Sequence, residues 1–202
     1  ALHSWTSHDN LLRPAMLGKL VAALDSSPEA AIAYAGYSVI DDAGSELRYH
    51  PPRSLEDRLV CNPVGAAFLY RNEVPAALGG YDETLFGAEY YDFWLRAARH
   101  FAFVTVNEDL YLYRRHAASL TDQRAIRIRR MVTRLVEREL AFESDRIRRA
   151  EVLLELVFSE HNRFAAGTAW RALGQHPASV LRSAPALAWH AARCLRNRLL
   201  AA

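Results

Sequence analysis

The chain is poor in sulfur, in lysine and in long apolar runs. Its two cysteines, Cys61 and Cys194, lie far apart in unlike surroundings. That excludes a disulfide framework and the paired spacing of a zinc site. Lys19 is the only lysine. The arginine bias points to a GC-rich genome and carries no function. No apolar run reaches the ~18 residues that a membrane-spanning helix needs. No charged-then-apolar leader opens the sequence, so no signal peptide is expected and a reducing cytosol is the default compartment. The opening Ala1-Leu2-His3-Ser4-Trp5 lacks an initiator Met and has the pattern of the end of a buried strand.

What is present is ordinary for a globular chain: 202 residues, 51% apolar and 24% charged. That is enough for one core and an appendage. The charge is uneven. Residues 1–123 carry ten Lys/Arg against sixteen Asp/Glu, and residues 124–202 carry fifteen Arg against seven acids. An acidic and a basic region of this kind imply separate roles.

Hydrophobic spacing predicts a helix over Pro14–Leu24, from Met16, Leu17, Leu20, Val21 and Leu24. Strands are expected over Ala31–Ile40, Glu46–Pro52, Gly65–Arg71, Phe101–Val106 and Leu110–Arg114. Short helices fit Ser54–Leu59 and Glu73–Leu78, and a longer one fits Glu89–His100. From Gln123 onward the pattern becomes helical, with a long helix, a second over Arg149–Phe164 and a last over Leu187–Leu200. Gly167 and Gly174-Gln175-His176-Pro177 punctuate this part. The change of texture coincides with the change of charge. We therefore expect an α/β part over 1–121 and an all-α extension over 122–202.

Three segments carry chemistry-bearing residues. Trp5-Thr6-Ser7-His8-Asp9-Asn10 sets a carboxylate between a strand and a helix, where ligands collect in α/β sheets; capping of the following helix is the simpler role for Asp9-Asn10. Gly79-Gly80-Tyr81-Asp82-Glu83 leads to Glu89-Tyr90-Tyr91-Asp92-Phe93-Trp94-Leu95-Arg96. There Glu89 stands at a helix start, which favours a carboxylate. Asp92 and Arg96 have the spacing of an i,i+4 ion pair, and Trp94 has the character of a core residue. The third segment is Leu110-Tyr111-Leu112-Tyr113-Arg114-Arg115-His116, followed by Ser119. Two lesser ones are Tyr34 with Asp41-Asp42-Ala43-Gly44, and Asn62 to Arg71, whose small Gly65, Ala66 and Ala67 allow close approach to the backbone.

In this order the five segments resemble the acceptor-side half of family-2 glycosyltransferases of the GT-A fold. The first is similar to the family's Ser-Asp-Asp or Asp-x-Asp metal motif, with His8 in place of an acid. The second is similar to G-x-F-D-E … E-D-Y-D-x-W-L-R, with Tyr90 where an acid, often the base, usually stands. The third is similar to Y-R-x-H-x-x-S. The resemblance spans about residues 2–121. It implies a partial GT-A-type, Rossmann-like sheet that lacks its N-terminal nucleotide-binding strands. It implies inverting transfer of a sugar from a nucleotide-sugar donor to the hydroxyl of a glycan or lipid-linked acceptor. Asp9 and His116 would hold Mg2+ or Mn2+. Glu89 would be the base with Asp92 as its substitute, and Ser7, Asn10, Gly65, Trp94 and Arg114 would contact substrate, Arg114 through phosphate.

Three explanations fit the absent strands: a fragment, a partner chain that covers the gap, or a truncated relative without catalysis. The last belongs with a second function class, a non-catalytic binding module or inactive subunit. No nucleic-acid partner is expected, since the α/β motifs give it no support. The arginine-rich tail, with Leu187, Trp189, Cys194, Leu195, Leu199 and Leu200, suits either a helix resting on the inner face of a membrane or solvated arginines on a packed hairpin.

Overall fold

A computed structural model describes residues 1–85, 87–115, 124–159 and 164–200. It is mixed α/β with a curled mixed sheet, and the chain divides into two compact units, Ala1–Val132 and Thr133–Ala202.

The first unit is built on strand β3 (Ala30–Ile40), whose sequence is apolar on both faces and almost wholly buried. A strand buried on both faces reads as a continuous apolar run, not an alternation. Its neighbours are β5 (Ala67–Arg71), β4 (Glu46–His50) and β6 (Ala102–Arg114). Two-residue strands β1 (Leu2–His3) and β2 (Leu11–Leu12) complete the order β1-β5-β3-β6-β2, with β4 also paired to β3. Among the described residues only the β3–β6 pair is parallel; β5 and β4 share the other side of β3, both antiparallel. A parallel pair needs a crossover, here supplied by everything between Ile40 and Ala102.

Two helices cover opposite faces. Helix α1 (Met16–Ser26) lays Met16, Leu20 and Leu24 on Ala33, Ala35 and Leu69. After α2 (Glu73–Leu78), helix α3 (Glu89–Ala97) packs Phe93, Trp94 and Ala97 on Ile32, Tyr34, Phe68 and Tyr70. The alternation of partners along β3 and β5 is that of a pleated sheet. Arg71 joins α1 to the sheet by donating to the carbonyls of Leu24 (2.9 Å) and Ala30 (3.1 Å).

Two expectations are corrected here. Ala1–Trp5 is not the end of a buried strand: β1 lies at the edge of the sheet order, with Leu2 and Trp5 exposed. The two strands expected over 101–106 and 110–114 are one, β6. Asn107-Glu108-Asp109 has turn composition, yet it forms a bulge against Ala35, Gly36 and Tyr37. The polar side chains find partners from neighbouring elements. Asp109 accepts from Ser38 Oγ (2.8 Å) and from Arg13 (2.5 Å), and Glu108 pairs with Lys19. Tertiary pairing of this kind overrides local turn preference.

The division between units falls beyond the expected boundary near Thr121, inside α4 (Ala125–Glu139). The first turns of α4 belong to the first unit: Ile128 lies against Gly87, 2.8 Å from where a Cβ would stand. Gly87 has φ +87°, a conformation that suits glycine.

The second unit is helical. Its core comes from Leu135, Val136 and Leu140 with Ala150, Val152, Leu153, Leu154 and Val157 of α5 (Arg146–Ser159). Two helices occupy the stretch that sequence punctuation left unassigned, α6 (Ala166–Gln175) and α7 (Pro177–Arg182). His176 separates them and caps α7: its Nδ1 accepts from Ser179 N at 3.3 Å, and Pro177 fills the first turn. The last helix, α8 (Ala184–Leu200), starts three residues earlier than the spacing of Leu187 suggests. No helix among the described residues is long and apolar enough to cross a membrane.

Candidate functional site

The parallel strands β3 and β6 end side by side, Ile40 opposite Arg114. Arg114 is the centre of this end. Its backbone N–H donates to Asn10 Oδ1 (2.8 Å), and its Nε donates to the Asp9 carbonyl (2.9 Å). Its Nη1 donates to the carbonyls of Asp41 (2.6 Å) and Asp42 (2.9 Å). The Asp41 turn is itself closed by Ser45 N on Asp41 Oδ1 (2.8 Å) and by Gly44 at φ +88°. One guanidinium thus brings three of the five sequence segments to one place. It was expected to meet phosphate; the observed partners of Nε and Nη1 are carbonyls.

The Asp9 segment is held from below by Tyr111. Tyr111 is buried, and its hydroxyl meets Thr6 Oγ1 at 2.7 Å. Burial pushes its phenol up, opposed by hydrogen bonds with Thr6 and Asn10, while the Asp9 charge raises it further. Asp9 is half-buried and Ser7 exposed. The Ser7 carbonyl accepts from Asn10 N at 3.3 Å, which shapes the turn.

Trp5 connects this segment to the second one. Its Nε1 donates to Tyr81 Oη (3.1 Å), and its ring meets Tyr90 edge-on at 6.0 Å and Phe68 at 5.5 Å. Tyr81 Oη lies 3.3 Å from Tyr70 Oη. Tyr90 follows Glu89 in the first turn of α3. Burial first, then Tyr113, Glu89 and Tyr37, push its phenol up to about 12. Tyr90 is therefore neutral at pH 7, with a hydroxyl able to donate. Tyr37 stacks on His50 (5.0 Å, 9°) and meets Tyr113 edge-on at 6.2 Å. Gly65, at φ +63°, puts its bare Cα against the Tyr37 ring, 2.8 Å from where a Cβ would stand. Its small size serves that close approach.

Two polar groups of α3 are unsatisfied, Trp94 Nε1 and the carboxylate of Glu89; the second bears on the chemistry of Glu89. Its Oε2 is buried and has no hydrogen-bond partner. A carboxylate oxygen in that state is costly unless a proton, cation or donor reaches it. The first turn of α3 also supplies backbone N–H groups whose partial charge favours an anion.

Asp92 and Trp94 behave differently. Asp92 is 1% exposed and accepts from Arg96 Nε at 2.7 Å. Arg96 donates in turn to the carbonyls of Leu78 (2.8 Å) and Gly80 (2.8 Å). The pair fastens α3 to the Gly79-Gly80 turn, whose glycines take φ +75° and +82°. The ion pair that the i,i+4 spacing suggested is thus formed, and it occupies the oxygen that Asp92 would need as a substitute base. Trp94 is likewise 1% exposed, between Phe68, Tyr70 and Phe93. Its place is in the core, the role that its character in the sequence also suggested. His116 and Ser119 lie outside the described residues.

Among the described residues no three His, Cys, Asp or Glu come together as a metal-binding group. Asp9 contributes a single carboxylate. That donor set fits an Mg2+-like ion arriving with a diphosphate, since such ions use one or two protein carboxylates and complete their shell with phosphate and water.

Sequence reasoning missed Tyr37 and His50 as parts of this region and gave Trp5 and Tyr113 no role beyond membership of their segments. Their one signal is an excess of aromatics near strand ends, which core packing explains equally well. An open hollow lined by Ala1, Leu2, Arg71, Asn72 and Glu73 lies at the opposite end of β3 and contains none of these groups. No protein-family model and no curated protein matches the chain.

Proposed function

We propose that the chain is the acceptor-side part of a GT-A-type glycosyltransferase that moves a sugar from a nucleoside-diphosphate donor to a hydroxyl acceptor with inversion. The observation that carries this reading is the buried, unpartnered Oε2 of Glu89 at the tip of α3. A general base must lie where a hydroxyl can reach it; Glu89 as a whole is half-buried, its charge is felt by Tyr81 and Tyr90, and Trp5 contacts both of these tyrosines, a set of rings and hydroxyls that suits a sugar. In the reaction the acceptor hydroxyl gives its proton to Glu89 as its oxygen attacks the anomeric carbon. The bond from that carbon to the diphosphate oxygen breaks, and the electron pair leaves with the nucleoside diphosphate. One displacement inverts the centre.

Asp9, together with the donor's phosphate oxygens, would hold Mg2+ or Mn2+. When bound, that ion supplies counter-charge for the departing diphosphate. Arg114 acts through position: its carbonyl contacts keep the Asp9 loop and the Asp41 turn together.

Replacing Glu89 by Gln tests the reading. Transfer falls by about 10²–10⁴-fold, and the rise in melting temperature with a nucleoside diphosphate and Mn2+ stays. Unchanged turnover removes Glu89 from the mechanism.

One observation favours a second reading, a non-catalytic sugar- or partner-binding module. Tyr90 stands where the resembled family usually has an acid, and burial keeps its phenol neutral. That reading expects a flat melting response to every nucleoside diphosphate, with or without metal.

A further inference from the structure

Helix α8 is built inside out. The side chains that it buries are small or polar: His190 is 1% exposed and Cys194 2%. His190 faces the rings of Phe158 (5.5 Å) and Phe164 (6.1 Å), and Cys194 Sγ lies 3.6 Å from His190 Nε2. Three large apolar side chains point the other way, and Leu187 is half-buried. Trp189 is 64% exposed, Leu195 60% and Leu199 71%. At about 100° per residue these three, with the exposed Pro185, Ala188 and Ala192, fall on one arc of roughly 120°, and Trp189 to Leu199 spans about 15 Å along the axis.

Charge tells what covers this arc. From Phe164 to Leu200 the sequence holds five arginines and no aspartate or glutamate. One of them flanks the arc and another lies on it. Arg193 lies over the Trp189 ring at 4.9 Å and donates to His190 Nδ1 at 2.9 Å, which holds the indole outward. Arg196 is exposed and lies on the arc itself, between Trp189 and Ala192 in helical angle. The two preceding helices of the same unit also expose large apolar groups, Trp170 and Leu181. Tryptophan and leucine bordered by arginine, without acids and without the length to span, is the pattern of a helix lying in a lipid headgroup layer.

We infer that α8 docks on an anionic bilayer surface, with Trp189, Leu195 and Leu199 entering the headgroup–acyl boundary and Arg193 and Arg196 meeting lipid phosphates. This surface is independent of the proposed transferase chemistry. Its function is to hold the chain beside substrates or products that reside in the membrane.

Co-sedimentation of the full chain with vesicles tests it, using phosphatidylcholine alone and phosphatidylcholine with about one third phosphatidylglycerol. Binding is expected to the anionic vesicles only and to weaken as salt rises. Leu199→Asp lowers binding about tenfold or more, from the apolar burial that is lost. Arg196→Gln lowers it about fivefold. Both variants keep the parent's circular dichroism and melting temperature, because both side chains are outside the core. Absence of binding overturns the inference, as does equal, salt-insensitive binding to neutral vesicles. So does a concentration-dependent oligomer that Leu199→Asp dissolves, which assigns the arc to a second copy. Retention of an oligonucleotide that Arg196→Gln weakens and Leu199→Asp does not assigns it to nucleic acid.

Discussion

Helices α3 and α8 treat their hydrophobic residues in opposite ways. Helix α3 buries Tyr91, Phe93, Trp94 and Leu95, and it even buries an ion pair. Helix α8 buries a histidine and a cysteine and turns a tryptophan and two leucines outward. Residue type alone therefore does not say which tryptophan is core. Trp94 and Trp189 each have one aliphatic neighbour and an arginine within four residues downstream. One is enclosed by a sheet face already lined with Phe68 and Tyr70, and the other has a guanidinium for its nearest ring contact.

The comparison breaks most sharply at those two residues. Trp94→Ala is expected to cost about 3–5 kcal/mol in urea unfolding, from lost burial and the cavity left. Trp189→Ala is expected to stay within about 0.5 kcal/mol. Similar losses for both would erase the distinction. Next comes the buried pair. Asp92→Ala leaves Arg96 without its carboxylate inside the fold and is expected to cost about 3 kcal/mol, whereas Arg171→Ala, which releases the exposed Glu137 pair at 2.6 Å, costs under about 1 kcal/mol. Chemical denaturation of the two variants checks the ordering.

Gly36→Ala follows. An added methyl would meet the Tyr49 ring at 2.8 Å and the His50 carbonyl at 2.9 Å, and the backbone atom cannot swing aside. A loss of about 1–3 kcal/mol is expected, against no more than about 1 kcal/mol in either direction for Gly18→Ala in α1, where nothing crowds the new methyl. The smallest effect is a pH dependence. Desolvation first, then Arg48 and Arg53, lower the His50 imidazole below its ordinary value of 6.5. The unfolded chain then binds the proton more readily, so this contribution is intact above 6.5 and is lost as pH falls through the lower folded value. Melting temperature should decline over that interval, and His50→Gln should flatten the decline.

Much of the first unit was legible in the sequence. Helix α2 and strand β3 follow from apolar spacing and from punctuation by Pro28, Asp41 and Gly79. The continuity of β6 through Asn107-Glu108-Asp109 was not, because the polar groups that favour a turn locally are satisfied by Arg13, Lys19 and Ser38 from far along the chain. Helices α6 and α7 escaped because Gly167 and Gly174 sit inside the first and a histidine cap separates the two. For the candidate site, the segments were visible but their joints were not. The Trp5–Tyr81 hydrogen bond crosses 76 residues, and nothing local in Trp5 announces it. Glu89 was singled out from its position at a helix start. The unpartnered state of its oxygen is a property of packing alone.

The planar fork of Arg114 has a consequence for how such a surface can change. Its donors sit in a fixed template, so the gap between the Asp9 loop and the Asp41 turn is measured by one rigid group and not by two compliant chains. Either loop can lengthen or change its outward residues while that ruler stays in place. Exchange for lysine would keep the charge and lose the gauge.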